Sequence, residues 1–218
     1  KESSAASDVY KRQNQPLALS SAQVKSVSPD SFDFSQADFT DTDTPVWIIG
    51  SGKTAMDTAY LITTRDPGRE LHLVAGVGTY FNNRDATFPA GMRRWWAAKP
   101  VSQIFGSVAD MYDGTNDEQV TAAYRARYVI SPMPESQRFL NGNLSRSECD
   151  AISAALRSVV ADYLADVVDR DGMPQLVFRS GDEIPVVPGS WVVNCTGYLI
   201  REKSADGDPY VNRFDEEG

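Results

Sequence analysis

The residues with the clearest chemical potential form one short segment, Gly50-Ser51-Gly52-Lys53-Thr54-Ala55. The first glycine of such a segment permits a tight turn after a strand, and the second lets a diphosphate approach the backbone. A small third residue, here Ala55, lets a helix pack closely on a sheet. If a helix begins here, its free N–H groups and its dipole would attract phosphate oxygens. The segment therefore predicts a site for the pyrophosphate of a dinucleotide.

The same segment invites comparison with the P-loop of nucleoside triphosphatases, because Gly52, Lys53 and Thr54 match the end of that motif. A P-loop also needs a glycine five residues before its Gly-Lys pair. Trp47 occupies that position. The loop is therefore too short to wrap a triphosphate, and the sequence argues against an NTPase.

The flanking sequence fits a βαβ unit. Residues 46–49 are a short apolar run between Pro45 and Gly50, which is typical of a strand buried on both faces of a parallel sheet. Residues 54–64 predict a helix with small and apolar residues on one face, and residues 70–74 predict a second strand. A strand, glycine turn, helix and strand within about 30 residues are the setting that a dinucleotide loop requires.

The end of the second predicted strand bears on which dinucleotide would bind. NAD sites commonly place Asp or Glu there to hold the ribose 2′-hydroxyl, whereas this strand ends Val74-Ala75-Gly76. Lys53 and Arg84 are the cations available near the loop. The sequence therefore favours a 2′-phosphate, and NADP(H) over NAD(H). Both side chains could equally be ordinary solvated surface cations.

Another apolar run, residues 191–195, predicts a strand that ends at Thr196 and Gly197. In open α/β sheets, ligands bind at the carboxyl ends of the strands, so a turn of small residues there could lie beside a cofactor. An ordinary turn at the end of a strand would explain the same two residues.

We expect three parts along the chain of 218 residues. Residues 1–44 are predicted to be a polar tail and linker, with one short possible strand within residues 16–27. Residues 45–200 are predicted to form a dinucleotide-binding domain with an insertion at about residues 77–142, because that segment is too long for a simple crossover. Residues 201–218 are predicted to be a charged tail.

Weaker signals divide the rest of the domain. Within the insertion, residues 117–127 predict a helix, and Arg93-Arg94-Trp95-Trp96 could line a pocket or face another domain. For that tetrapeptide we favour an amphipathic segment that packs its two indoles. A further helix is expected to begin at Ser147 as its N-cap and to continue to about Arg170.

Two short runs, residues 175–178 and 184–187, flank Ser180-Gly181-Asp182 and predict a β-hairpin. With the βαβ unit, this predicts an α/β fold: a Rossmann-like, three-layer domain with a parallel sheet, a β-hairpin and a helical insertion.

Composition excludes several other classes. A net charge of −9 repels a phosphate backbone and argues against nucleic-acid binding. One histidine, His72, and two scattered cysteines, Cys149 and Cys195, do not make a metal site. No apolar run approaches the roughly 20 residues needed to cross a bilayer, and the N-terminus lacks the apolar stretch of a signal peptide, so a cytoplasmic protein is expected.

Two motifs carry a resemblance to a known family. Residues 46–59 resemble the second dinucleotide fingerprint of flavoproteins with two dinucleotide-binding domains, and above all the flavin-containing monooxygenase-like group. There a loop of the form GSGxSA is followed by an acidic residue; Thr54 stands where Ser is common. Residues 192–198 are similar to that family's later strand end, ATGY, with Cys195 in place of Ala.

This resemblance implies an NADPH domain inside an FAD-dependent oxidoreductase, in which NADPH reduces FAD and the flavin reacts with O2. It implies that residues 50–55 hold the NADPH pyrophosphate and that Thr196 and Gly197 lie near FAD. A separate GxGxxG loop for FAD does not precede residue 46. We therefore expect a partial chain whose partner is the missing FAD-binding domain, and which could be inactive alone.

Two other functions remain open at this point. One is a stand-alone dinucleotide-binding module that senses or regulates without catalysis. The other is a flavin-free NADP-dependent dehydrogenase, although no convincing proton donor accompanies the loop.

Overall fold

The computed structural model describes residues 15–96, 98–133 and 135–196. The strands in these ranges are β1 (Lys25–Val27), β2 (Val46–Ile49), β3 (Leu71–Val74), β4 (Thr79–Asn83), β5 (Val129–Ile130), β6 (Arg138–Leu144), β7 (Leu156–Val160), β8 (Leu164–Arg170), β9 (Met173–Phe178), β10 (Glu183–Pro185) and β11 (Trp191–Asn194). The α-helices are α1 (Ala37–Thr40), α2 (Lys53–Arg65), α3 (Arg84–Thr87), α4 (Val101–Ala109), α5 (Asp117–Tyr128) and α6 (Arg146–Ala155). A 3₁₀ turn covers Gly91–Trp95.

A five-stranded parallel sheet forms the centre of the molecule, in the order β1-β11-β2-β3-β7. The predicted βαβ unit is present as β2, α2 and β3, and the strand predicted over residues 191–195 is β11. From β2 the chain continues to β3 on one side, whereas β11 pairs with β2 on the other side. The strand order therefore reverses between β2 and β11, which makes this point a topological switch point.

Alternate residues of β2 face two different layers. Val46 and Ile48 belong to the core on the side of α2 and α6, whereas Trp47 and Ile49 belong to the core on the opposite side. All four are buried, as expected for a parallel strand covered on both faces.

The second face of the parallel sheet is covered by a three-stranded antiparallel sheet in the order β10-β9-β8. The predicted hairpin is confirmed, because Ile184 of β10 pairs with Leu176 of β9. Val167, Leu176 and Phe178 of this sheet pack in one cluster with Trp47 and Ile49. Helices, parallel sheet and antiparallel sheet thus form three layers. The predicted Rossmann-like α/β fold is confirmed.

The chain between β3 and α6 forms a small third sheet, in the order β5-β4-β6, together with α3, α4 and α5. Helix α5 confirms the helix predicted over residues 117–127. Trp95 and Trp96 are 75% and 69% exposed, so the interpretation that these indoles pack into the molecule was wrong.

The helix predicted from Ser147 to about Arg170 is confirmed in its first part, but its N-cap and its length were wrong. Helix α6 ends at Ala155, and the chain continues as β7, which pairs with β3, and then as β8. The apolar residues that suggested a helical stripe instead extend the two sheets, because β7 alternates between half-buried and exposed positions. The N-cap is Ser145, which forms a capping box with Glu148.

Residues that precede the predicted dinucleotide-binding domain also contribute to the parallel sheet. The short strand expected within residues 16–27 is confirmed as β1, which pairs with β11. Phe34 and Phe39 are buried in the helix-side core, and Phe39 packs against Trp191 with ring centroids 5.3 Å apart. The segment expected to be a linker thus supplies an edge strand and core side chains, while the domain limits themselves stay predictions.

Within the described ranges, no helix has the length and apolar character that crossing a membrane demands.

Candidate functional site

The turn after β2 is built around Gly50. This residue has φ +110°, a conformation that residues with a Cβ rarely adopt. A Cβ added at Gly50 would lie 2.7 Å from the carbonyl oxygen of Cys195 and 3.1 Å from Cα of Thr196. The amide of Gly50 donates to the carbonyl of Val74 over 2.8 Å. The absence of a side chain therefore lets the turn pack directly against the end of β11, at the switch point.

Helix α2 begins immediately after this turn. Gly52 is its N-cap, with φ −76° and ψ −175°, and the amide of Met56 donates to the carbonyl of Gly52 over 3.2 Å. The amides of Lys53, Thr54 and Ala55 precede that bond, so they have no acceptor within the helix. Ala55 is fully buried, as its packing role requires. The N-terminus of α2 thus lies at the carboxyl edge of the sheet, where it attracts anions.

Ser51 fixes the position of the turn. Its hydroxyl donates to the carbonyl of Ala75 over 2.8 Å and shares a hydrogen bond of 3.0 Å with the Thr79 hydroxyl. The side chain of Ser51 therefore points into the protein and joins the turn to the chain between β3 and β4. Thr79 was missed at the sequence level, because no motif connects these two hydroxyls.

Lys53 and Thr54 lie on the outer side of the first helical turn. The ammonium of Lys53 forms an ion pair with Asp57, one turn further along α2. Its side chain is 38% exposed, and Thr54 is exposed. This pairing directs the cation of Lys53 along the helix and offsets its charge.

Arg84 begins α3 and forms an ion pair with Glu148 in the first turn of α6. Burial alone would raise the pKa of Glu148, but hydrogen bonds from Ser145 and Arg84 outweigh it and lower the pKa to about 2. Helix α6 leads directly into β7, which is parallel to β3, so α6 also begins at the carboxyl edge. Arg84 therefore lies on the same side of the sheet as the turn, with its charge already matched by a carboxylate.

The end of β11 completes the site on the other side of the switch point. The amide and the hydroxyl of Thr196 both donate to the side-chain oxygen of Asn194, over 3.2 and 2.8 Å. Thr196 is exposed and adjoins Gly50. Gly197 lies outside the described residues. The structure thus brings the predicted loop and Thr196 together, whereas Arg84 is held by another helix.

The two cysteines offer no nucleophile. Burial raises the pKa of Cys195 to about 12 and also raises the pKa of Cys149, which keeps both thiols protonated. Among the described residues, no group of three or more His, Cys, Asp or Glu side chains could hold a metal ion. The site's chemistry is therefore that of backbone amides and a helix terminus.

The sheet order, the three layers and the glycine turn at the switch point define a Rossmann-like α/β protein. No protein-family model and no curated protein matches the sequence.

Three solved structures resemble parts of the chain. L-lysine 6-monooxygenase from Pseudomonas syringae has a TM-score of 0.35 and 12% identity, over 74% of this chain and 37% of its own. Ornithine N-hydroxylase from Kutzneria sp. 744, described with reduced FAD, NADP+ and L-ornithine, has a TM-score of 0.40 and 12% identity, over 85% and 43%. The reduced form of ornithine hydroxylase from Pseudomonas aeruginosa has a TM-score of 0.40 and 10% identity, over 85% and 44%.

This chain thus spans 37 to 44% of the length of those three proteins. At these TM-scores and identities the similarities carry no argument about activity, which must be argued from the geometry of the site.

Proposed function

We propose that this chain binds NADPH at the turn between β2 and α2 and forms the NADPH-binding portion of an FAD-dependent oxidoreductase of the flavin monooxygenase type. The observation that carries the proposal is the coincidence of three features at one place. The glycine turn, the N-terminus of α2 and the switch point between β2 and β11 all lie at the carboxyl edge of the sheet. This is where open α/β sheets bind dinucleotides.

The residues present fit a pyrophosphate. Gly52 lets the phosphates approach the amides at the start of α2, and the dipole of this helix of 13 residues favours their charge. Ser51 holds the turn in place through Ala75 and Thr79. Thr196, at the end of β11, lies beside the turn that follows β2. The chemistry that the nucleotide supplies when bound is a hydride, and this chain's share is to hold and orient the nicotinamide.

FAD does not fit the described residues in the same way. The turn after β2 is the one strand–helix glycine turn of this type that they contain, and the proposal assigns it to NADPH. FAD would therefore be held chiefly by another part of the protein, with the end of β11 facing it. A strand followed by GxGxxG in the coding sequence upstream of Lys1 would support this arrangement, and a start codon close to Lys1 would contradict it.

The nucleotide site itself is tested by calorimetric titration of the chain with NADPH and NADH. We expect NADPH to bind, and Gly52→Val to weaken binding of both nucleotides at least about tenfold, because the added side chain blocks the diphosphate. The backbone of Gly52 lies at φ −76°, which valine adopts without strain, so the variant should fold.

A matched control is available in Gly68→Val, since Gly68 is exposed and a Cβ added there meets nothing within 4 Å. This variant should bind as the parent chain does. A folded Gly52→Val protein with unchanged affinity would show that the turn is not the phosphate site.

A further inference from the structure

The end of β3 is the place where a Rossmann-like site distinguishes the two nicotinamide nucleotides. Lys53 and Arg84 were the candidate cations for binding a 2′-phosphate. Both form ion pairs with carboxylates, Lys53 with Asp57 and Arg84 with Glu148. If the site prefers NADPH, its selectivity needs a cation that is still available at this edge.

The residue that packs on the end of β3 is Tyr163, in the connection between β7 and β8. A Cβ added at Gly76 would lie 2.7 Å from Cε1 of the Tyr163 ring. The amide of Gly76 donates to the carbonyl of Asp162 over 3.0 Å. The Tyr163 ring therefore forms one wall of the space directly beyond β3, and it can do so because residue 76 has no side chain.

Arg179 contacts the same ring. Its guanidinium carbon is 4.9 Å from the centroid of the Tyr163 ring, and its amide donates to the carbonyl of Tyr163 over 2.9 Å. Arg179 follows β9, so it comes from the antiparallel layer and not from the βαβ unit. Sequence motifs that count residues from the glycine turn could not have found it.

The charge of Arg179 is available to a ligand. Its side chain is exposed, and no carboxylate within the described ranges forms an ion pair with it. Hydrogen bonds from Ser180 and Tyr163, and to a smaller extent the charge of Arg179, lower the pKa of Asp162. The Asp162 carboxylate therefore attracts Arg179, but its two oxygens accept from the amides of Tyr163 and Ser180, over 2.6 and 3.2 Å. A guanidinium held over an aromatic ring keeps its N–H groups free to donate to the oxygens of a phosphate.

We propose that Arg179, held against the Tyr163 ring beside Gly76, binds the 2′-phosphate of the adenosine ribose and makes the site selective for NADPH over NADH. This inference rests on the proposed function, because it requires the pyrophosphate to lie at the start of α2. It assigns to the antiparallel layer a role in nucleotide recognition.

The test is a comparison of two arginine variants of the same sheet layer in the 218-residue chain. Arg179→Ala should weaken NADPH binding about tenfold or more while NADH binding changes less than about twofold. Arg170→Ala is the matched control. Arg170 lies at the opposite end of β8, is 54% exposed and pairs with Glu183, so its loss changes the net charge equally. It should leave both affinities unchanged.

Fragments of the nucleotide localise the effect. The parent chain should bind 2′,5′-ADP more tightly than 5′-AMP, and Arg179→Ala should remove that difference. Arg179→Lys should restore part of it, because the charge returns without the planar fork. Circular dichroism of each variant checks that the fold is intact.

Three outcomes would overturn the inference. Arg179→Ala could leave the affinity for NADPH unchanged. It could also weaken the binding of NADPH and NADH equally, which would indicate a structural role for Arg179. Tighter binding of NADH, lost in Asp162→Asn, would assign recognition to the carboxylate. The failure of the proposed function looks different: the parent chain would then bind neither nucleotide, or Gly52→Val would bind both as the parent does.

Discussion

The two glycines of the turn have different functions. Gly50 has a positive φ and no room for a Cβ, so it is required by the fold, whereas Gly52 has an ordinary extended backbone and is required by the proposed ligand. The motif treats them as equivalent members of one pattern. The structure separates a residue that holds two strand ends together from a residue that leaves space for phosphates.

Gly50→Ala should therefore destabilise the protein itself. The new methyl group would meet the carbonyl of Cys195 at 2.7 Å, in a left-handed backbone conformation. We expect a loss of about 3 kcal/mol in the free energy of unfolding, combining strain and overlap. Urea denaturation followed by circular dichroism measures it.

Substitutions at two other glycines distinguish backbone strain from steric overlap as the cause of this loss in the free energy of unfolding. Gly172 has φ +82° with open space, so Gly172→Ala should cost only about 1 kcal/mol from strain. Gly68 has neither feature, and Gly68→Ala should change stability by less than about 0.5 kcal/mol. Equal effects at Gly50 and Gly172 would contradict the close contact with β11.

Glu148 gives the stability of the protein a defined dependence on pH. Its pKa is lowered from 4.5 to about 2 in the folded state, so its carboxylate stabilises the fold above pH 4.5, and this contribution is lost as the pH falls toward 2. Glu148→Gln should cost about 2 kcal/mol at neutral pH, and the difference from the parent should narrow between about pH 5 and pH 2.

Urea denaturation at several pH values measures this difference. Glu118→Gln, on an exposed position of α5, removes the same charge and serves as the control. A difference between parent and Glu148→Gln that stays constant with pH would show that the ion pair with Arg84 does not stabilise the folded state.

The sequence could predict which residues form the turn, but not how their side chains are used. The order of glycines and small residues is a local pattern, and it placed residues 50–55 and Thr196 at the same edge. The bond between Ser51 and Thr79 and the ion pair between Arg84 and Glu148 join distant parts of the chain. Such pairs depend on how the helices and sheets pack, which no local pattern encodes.

Among the helices and strands, local signals succeeded where a short apolar run was bounded by turn residues. They failed beyond Ala155, where residues suited to either a helix or a strand follow a true helix. The pairing of β7 with β3 decides that conformation, and it is a tertiary effect. The N-cap of α6 was expected at Ser147, but the sequence contained a signal for the correct position, because Ser145 and Glu148 have the spacing of a capping box.

Ser145→Ala should reduce the free energy of unfolding by about 1 kcal/mol, because the hydroxyl accepts from the amide of Glu148 at the start of α6. Ser147→Ala is the matched control two residues away. Ser147 is exposed and is not the N-cap, so its loss should have little effect. Thermal or urea denaturation of the pair decides which serine begins the helix, and a larger loss at Ser147 would restore the original prediction.

For the molecule as a whole, the core extends beyond the βαβ unit in both directions along the chain. The α/β class and the three layers were predictable, because strands alternating with helices and a hairpin admit few arrangements. The contribution of the early segment was not. Its polar composition hid three aromatic residues, Phe32, Phe34 and Phe39, that pack on Trp191 or on one another.

Phe39→Ala should therefore destabilise the protein by about 3 kcal/mol or more, since the ring is 2% exposed and lies against Trp191. Phe88→Ala makes the same chemical change at a side chain that is 52% exposed, and it should cost less than about 1 kcal/mol. Denaturation curves of the two variants compare them directly. A small effect at Phe39 would mean that the segment before β2 lies outside the cooperative unit.

The position of β11 has a consequence for biosynthesis. Among the described strands of the parallel sheet it is the last to leave the ribosome, yet it inserts between β1 and β2, which emerge much earlier. Until then those two strands present unpaired backbone edges toward an empty place in the sheet. Nascent chains stalled before β11 has left the ribosome should therefore depend on chaperones. Nucleotide binding by a nascent chain should begin only after β11 has joined the sheet.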